Sequence, residues 1–137
     1  MSDRLDVIIV DDESIVCQLV SKIISTFYTW GDILTFTYVD EAILYCLSHY
    51  IGVAIFIVNV FLEGKSGFYF LDAIEKSFPT AHENTIVITG NASHDVVDMC
   101  VASGVRYLLE KPIKTYALSL AVRSIASKYM KFAKKLL

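Results

Sequence analysis

The sequence predicts an α/β fold, a doubly wound parallel sheet of five strands alternating with five helices, (βα)5. Three observations carry this expectation. Five short apolar runs recur along the chain, each parted from the next by a stretch of helical period. Several of the runs are apolar at consecutive positions, as strands covered on both faces are. Polar residues gather just after the runs, where a sheet of this class keeps its ligand site.

The elements follow in order. "LDVIIVDD" (5–12) is β-branched and apolar and forms the first expected strand. Ile15, Val16, Leu19, Val20, Ile23, Ile24 and Phe27 keep the 3.6 period and predict a helix over 13–29. "ILTFTYV" (33–39) is the second strand, after which Asp40 is expected to cap a helix to about His49. "VAIFIV" (53–58) is the third. Ser66 or Gly67 opens the next helix, which runs through Ser77 and stops before Pro79. "TIVIT" (85–89) is the fourth strand. Ser93 caps the helix after it, with Gly104 in the C′ position. "VRYLL" (105–109) is the fifth, and Thr115 is expected to cap a last helix reaching toward the C-terminus. With no linker or low-complexity stretch, residues 1–137 read as one domain.

Composition narrows the class. The chain has 137 residues, 55% hydrophobic and 20% charged, which suits a globular domain and not a disordered segment. Its net charge of −3 argues against general affinity for nucleic acid. Cys17, Cys46 and Cys100 are an odd count without paired spacing and read as buried free thiols in a reducing compartment. The longest near-continuous apolar run, Gly52 to Leu62, is about half of the ~20 residues a membrane span needs, and Asn59 interrupts it. The start, "MSDRLDV", lacks a signal-peptide pattern, so a cytoplasmic domain is expected.

The strand ends carry the chemistry. Strand one ends in Asp11-Asp12-Glu13, strand three in Asn59 and strand four in Thr89-Gly90, while Lys111-Pro112 follows strand five. Carboxylates, a hydroxyl and an ammonium on one sheet edge suit a divalent cation such as Mg²⁺ together with a phosphoryl group. Each residue also has a plainer reading. Asp11 or Asp12 can cap the first helix, Thr89 can bond to main chain, and Lys111 can be a surface lysine before a helix-starting proline. Their joint placement favours a site.

The motifs "VDDE" (10–13), "NVFLEGKSG" (59–67), "ITG" (88–90) and "RYLLEKPI" (106–113) resemble those of a response-regulator receiver domain, over roughly Leu5 to Ser127. The resemblance implies a flavodoxin-like fold and, normally, phosphoryl transfer from a sensor histidine kinase or phosphotransfer protein to an aspartate. It implies that Asp11 and Asp12 organise Mg²⁺, with the main-chain carbonyl of Phe61 as a further ligand. Thr89 would follow the phosphoryl group, Tyr107 would report it by rotating, and Lys111 would bind it, with a cis bond to Pro112. Partners would dock on the fourth helix, fifth strand and fifth helix. A homodimer is one further option.

The resemblance also puts Asn59 on the phosphoacceptor position, where the family has Asp. A neutral amide oxygen is a far poorer nucleophile than a carboxylate. The expectation is therefore no phosphorylation at Asn59 and weakened Mg²⁺ binding, since a unit charge pair at ~4 Å is worth about 4 kcal/mol at an effective dielectric of ~20. Asn59 would instead donate to Asp12 or accept from Lys111. Milder departures are Glu63 where proline is frequent, Gly90 where alanine or another small residue is usual, and Arg106 in place of a frequent acidic residue.

Three readings follow. One is a non-enzymatic receiver-like module that docks partners in one fixed state. Another is an ordinary phosphoaccepting receiver carrying an Asp-to-Asn substitution. The third, a flavodoxin-like enzyme or nucleotide-binding protein, lacks a glycine-rich loop after strand one, and His49, His82 and His94 have no metal or triad spacing. Lys128, Lys131, Lys134 and Lys135, interleaved with apolar residues, read as cations facing water at a helix end, as an interaction or membrane-surface helix, or as the lead into an output domain. No DNA-binding motif is present in these residues.

Overall fold

β-branched residues dominate the strands because both faces of the sheet are covered. The computed structural model describes residues 4–49 and 52–130. β1 (Val7–Val10), β2 (Ile33–Phe36), β3 (Ile55–Asn59), β6 (Thr85–Thr89) and β7 (Tyr107–Glu110) form one parallel sheet in the order β2-β1-β3-β6-β7. Counted along this sheet the order is 2-1-3-4-5, the flavodoxin-like arrangement, which reverses direction between β1 and β3. The five helices are α1 (Ser14–Ser25), α2 (Val39–Ser48), α3 (Gly67–Ile74), α4 (His94–Ser103) and α5 (Thr115–Ala126).

The strand pleat divides the core into two layers. Ile8, Val10, Phe56, Val58 and Val87 face α2, α3 and α4, where Cys46, Phe70, Leu71 and Cys100 meet them. Val7, Ile9, Ile55, Ile57, Ile86 and Ile88 face α1 and α5, against Val20, Ile24, Leu118, Val122 and Ile125. The apolar positions that predicted α1 divide accordingly. Val20, Ile23 and Ile24 are buried, while Ile15 and Leu19 are exposed. All three cysteines are buried and unpaired, as expected.

Two expected caps are borne out. Ser66 accepts from the Tyr69 N–H at 3.1 Å, and Ser93 accepts from the Val96 N–H at 3.4 Å. Gly104 closes α4 at φ 84°, a left-handed conformation that suits glycine.

Several boundaries differ. Tyr38, not Asp40, is the N-cap of α2, so Val39 belongs to the helix and the strand stops at Phe36. Asp40 lies within the first turn and pairs with Lys65 at 2.8 Å, a tertiary contact that sequence spacing does not reveal. Lys114, not Thr115, occupies the N-cap of α5, with no side-chain cap bond. α3 ends at Ile74, and turn hydrogen bonds carry the chain on to Phe78. α5 ends at Ala126 and one more hydrogen-bonded turn reaches Met130. Lys131, Lys134 and Lys135 lie outside the described residues. The stretch after Asn59, for which the sequence pattern predicts no strand, forms a small antiparallel hairpin, β4 (Phe61–Leu62) with β5 (Lys65–Ser66), turning at Glu63 and Gly64. No helix of the described residues is long and apolar enough to cross a membrane.

Candidate functional site

Asp11 comes directly after β1, Asn59 closes β3, Thr89 closes β6 and Lys111 follows β7. Val10 pairs with Val58, which brings Asp11 and Asn59 side by side at the switch point. Gly67 starts α3 directly over Asn59. A Cβ there would lie 2.7 Å from Val58 Cγ1 and closer still to the Asn59 carbonyl oxygen, so only glycine permits this approach. The Gly67 N–H donates to the Val60 carbonyl at 2.8 Å and holds the contact.

Asp11 is fully buried. Its Oδ1 accepts from the Glu13 N–H at 2.9 Å, a local turn ahead of α1; neither Asp11 nor Asp12 caps the helix, because Glu13 is the N-cap and no side chain makes a cap bond there. Its Oδ2 is different. It has no aligned hydrogen-bond donor, although the Lys111 ammonium stands 3.2 Å away. Burial pushes the Asp11 carboxyl above the ordinary carboxylate range, and the Glu13 N–H, Lys111 and the Asn59 amide pull it back. Lys111 also pairs with Glu13 at 3.3 Å, and its side chain is only 20% exposed, unlike an ordinary surface lysine. Its bond to Pro112 is cis.

Ligand oxygens of Asp11, Asp12 and Glu13 lie within 4.8 Å of one another. The donor set suits a hard divalent cation, and the buried, underused Oδ2 of Asp11 supplies the orphaned acceptor such an ion would satisfy. Phe61, whose carbonyl was expected as a further ligand, is the first residue of β4 with its ring exposed.

Thr89 follows its plainer reading. It is buried, and its hydroxyl donates to the Asn91 carbonyl and accepts from the Asn91 N–H, both at 3.1 Å. Tyr107, the first residue of β7, is half-buried against the layer facing α1 and α5. It helps line a 310 Å³ surface pocket with Arg106, Leu120 and Ser124. Glu63 and Gly90 are both exposed.

Sequence reasoning missed Glu13 as a participant and missed Glu110, whose carboxylate accepts from the Ala92 N–H at 3.0 Å. Glu13 had a signal, since it extends the acidic run. Glu110 had none, because its partner is eighteen residues away.

The response regulator receiver domain model matches residues 7–123. The chain belongs to this family. Among solved structures the receiver domain is similar to a response regulator receiver domain protein from Clostridium thermocellum, with TM-score 0.78, 22% identity, and 96% of this chain and 98% of that chain covered. It is similar to chemotaxis protein CheY4 of Vibrio cholerae, with TM-score 0.75, 19% identity, and coverage of 89% and 98%. A third similar structure is the beryllofluoride-activated NtrC4 receiver domain dimer, with TM-score 0.75, 25% identity, and coverage of 90% and 98%. No curated protein sequence matches the chain. Receiver domains are signalling domains of two-component systems, and they interact with kinases, phosphotransfer proteins or output domains.

Proposed function

We propose that this receiver domain is a cytoplasmic, non-enzymatic module that signals by docking in one fixed state, and that Asn59 occupies the phosphoacceptor position without accepting a phosphoryl group. The observation that carries this reading is a buried amide closing β3 beside Asp11, with Lys111 already neutralised by Asp11 and Glu13. An amide oxygen offers no anionic nucleophile, and no base can make it one.

Asp11 and Asp12, with the Asn59 side-chain oxygen and the Phe61 carbonyl, would hold Mg²⁺. The ion would supply positive charge to phosphoryl oxygens. Without a carboxylate at 59 the site holds it weakly, and Lys111 competes for the same acidic oxygens. Thr89 and Lys111 remain the groups suited to phosphoryl oxygens, and Tyr107 stays in one orientation. The docking face is α4, β7 and α5, where Val101 and Tyr116 are 75% and 77% exposed. Its partner is a sensor histidine kinase, a phosphotransfer protein, an output protein or a second copy of the chain.

A second reading has a specific observation behind it. Asp11, Thr89 and Lys111 lie at or directly after the ends of β1, β6 and β7, an arrangement compatible with a phosphoaccepting receiver that carries Asn for Asp. Intact-mass measurement after treatment with a small-molecule phosphodonor and Mg²⁺ separates the cases, with the unaltered protein and Asn59→Asp run side by side. Labelling of the Asp variant alone is the expected result and shows that Asn59 alone silences the pocket. Labelling of neither means deeper loss of the site. Labelling of the unaltered protein overturns the proposal.

A further inference from the structure

The last rung of the sheet beyond β6 is the Lys111 N–H donating to the Thr89 carbonyl at 2.8 Å. Gly90, Asn91 and Ala92 then leave the sheet and enter α4 through Ser93. The space beside Gly90 is open, and a Cβ there would meet no atom within 4 Å. Side chains close this connection at both ends. At one end the Thr89 hydroxyl bonds to both main-chain groups of Asn91. At the other the Ala92 N–H, which lies ahead of the helix and finds no acceptor in it, donates to Glu110 Oε2 at 3.0 Å. Glu110 ends β7 and stands opposite Thr89 in register.

We propose that Glu110 is a positioning residue for the site, a latch that holds the 89–92 connection closed and keeps the Thr89 hydroxyl committed to Asn91. A hydroxyl has one proton to donate, and here it is spent on the Asn91 carbonyl. To donate to anything bound beside Asn59, the Thr89 hydroxyl must release the Asn91 carbonyl, which leaves the connection held from its other end. The Glu110 carboxylate holds that end through a charge-assisted bond. It acts from the residue next to Lys111, so one short strand end carries both the pocket's cation and the latch on its hydroxyl. The inference deepens the fixed-state reading above and rests on it for its signalling meaning.

Amide hydrogen exchange by NMR on the whole chain tests the latch in the unaltered protein, Glu110→Ala and Glu110→Gln. The glutamine keeps an acceptor oxygen at the same reach. Release of one such bond is expected to speed exchange at Asn91 and Ala92 by about tenfold in the alanine variant. The glutamine variant should stay within about twofold of the original rates. Amides of β1 and β3 should keep their protection in all three. Unchanged rates at 91 and 92 in the alanine variant would overturn the proposal and make Glu110 an incidental surface carboxylate. Equal acceleration throughout the sheet would also overturn it, because Glu110 would then be stabilising the fold generally. No phosphodonor is used, so labelling of Asn59 would defeat the docking reading and leave the latch standing, and a failed exchange result would do the reverse.

Discussion

Lys111→Met takes the ammonium away from Asp11 while leaving a chain of similar length in place. Asp11 is fully buried and its Oδ2 has no aligned hydrogen bond, so that oxygen depends on the charge 3.2 Å away. At an effective dielectric of ~20 the gross attraction across that distance is about 5 kcal/mol. Desolvating the ammonium offsets part of it, and the lysine keeps some water contact, being 20% exposed. Removing one partner of a fully buried pair costs about 3–5 kcal/mol, and a smaller cost, about 2–3 kcal/mol, is expected for this half-wet pair. Glu13 adds little, because its side chain is 60% exposed. Urea unfolding of the unaltered protein, Lys111→Met, Asp11→Asn and the double variant would measure this as a cycle. The double variant should recover about 2 kcal/mol relative to the sum of the single changes. The pH dependence has a definite sign. Asp11 titrates higher in the folded protein than in the unfolded chain, so the folded state holds the extra proton between the two values and loses stability as pH rises through that window. Without Lys111 the folded value climbs further. The cost of Lys111→Met is then full above that value and fades as pH falls through it. A cost below about 0.5 kcal/mol, or no coupling in the cycle, would refute this account of the pocket.

Other expectations are equally direct. Gly67→Ala gains about 1 kcal/mol of helix propensity but drives a methyl into the main chain at Asn59, so urea unfolding should register a net loss of about 1–2 kcal/mol; a stabilised variant would mean that α3 slides freely. Burial pushes the Cys46 thiol up to about 12 and raises those of Cys17 and Cys100, with the Asp11 charge adding to Cys17. A water-soluble disulfide reagent at neutral pH should therefore find no fast-reacting thiol in the folded protein and three after denaturation. Asn84 is fully buried, donates to the Tyr129 hydroxyl at 2.8 Å and accepts from Lys128 at 2.7 Å. Asn84→Ala should lose about 2 kcal/mol in urea unfolding and speed amide exchange at residues 128–130; unchanged exchange there would show that the end of α5 is held by other contacts.

The fold was legible because two periodicities, one of consecutive apolar residues and one of 3.6, alternate along the chain with few interruptions. Ser66, Ser93 and Gly104 were readable because their roles are local, involving main chain within a few residues. Asp40 was misread for the opposite reason. Aspartate is a favoured cap residue, but here the helix starts earlier, Asp40 falls within its first turn, and its carboxylate pairs with Lys65 on the hairpin. The hairpin itself escaped notice because each of its strands has only two residues, too few to show alternation. At the site, motif spacing located Asp11, Asn59, Thr89 and Lys111, since the sheet topology converts strand ends into neighbours. What it left unresolved was who bonds to whom. The choice of Lys111 between Asn59 and Asp11 depends on which oxygen carries charge in a buried place, and the engagement of Thr89 with Asn91 depends on the path of the connection.

The division of the core into two sealed layers has a consequence for how such a chain can change over generations. Nearly all the cohesion lies between the sheet and the helices on either face, while the reactive groups sit along one edge and bury little apolar surface. Asn and Asp have almost the same shape, so exchanging them at position 59 opens no hole and uncovers no core. Reactivity at the edge and durability of the scaffold are then nearly independent variables. A lineage can fall silent at this edge, keep its binding faces intact, and stand one codon from the chemistry it set aside.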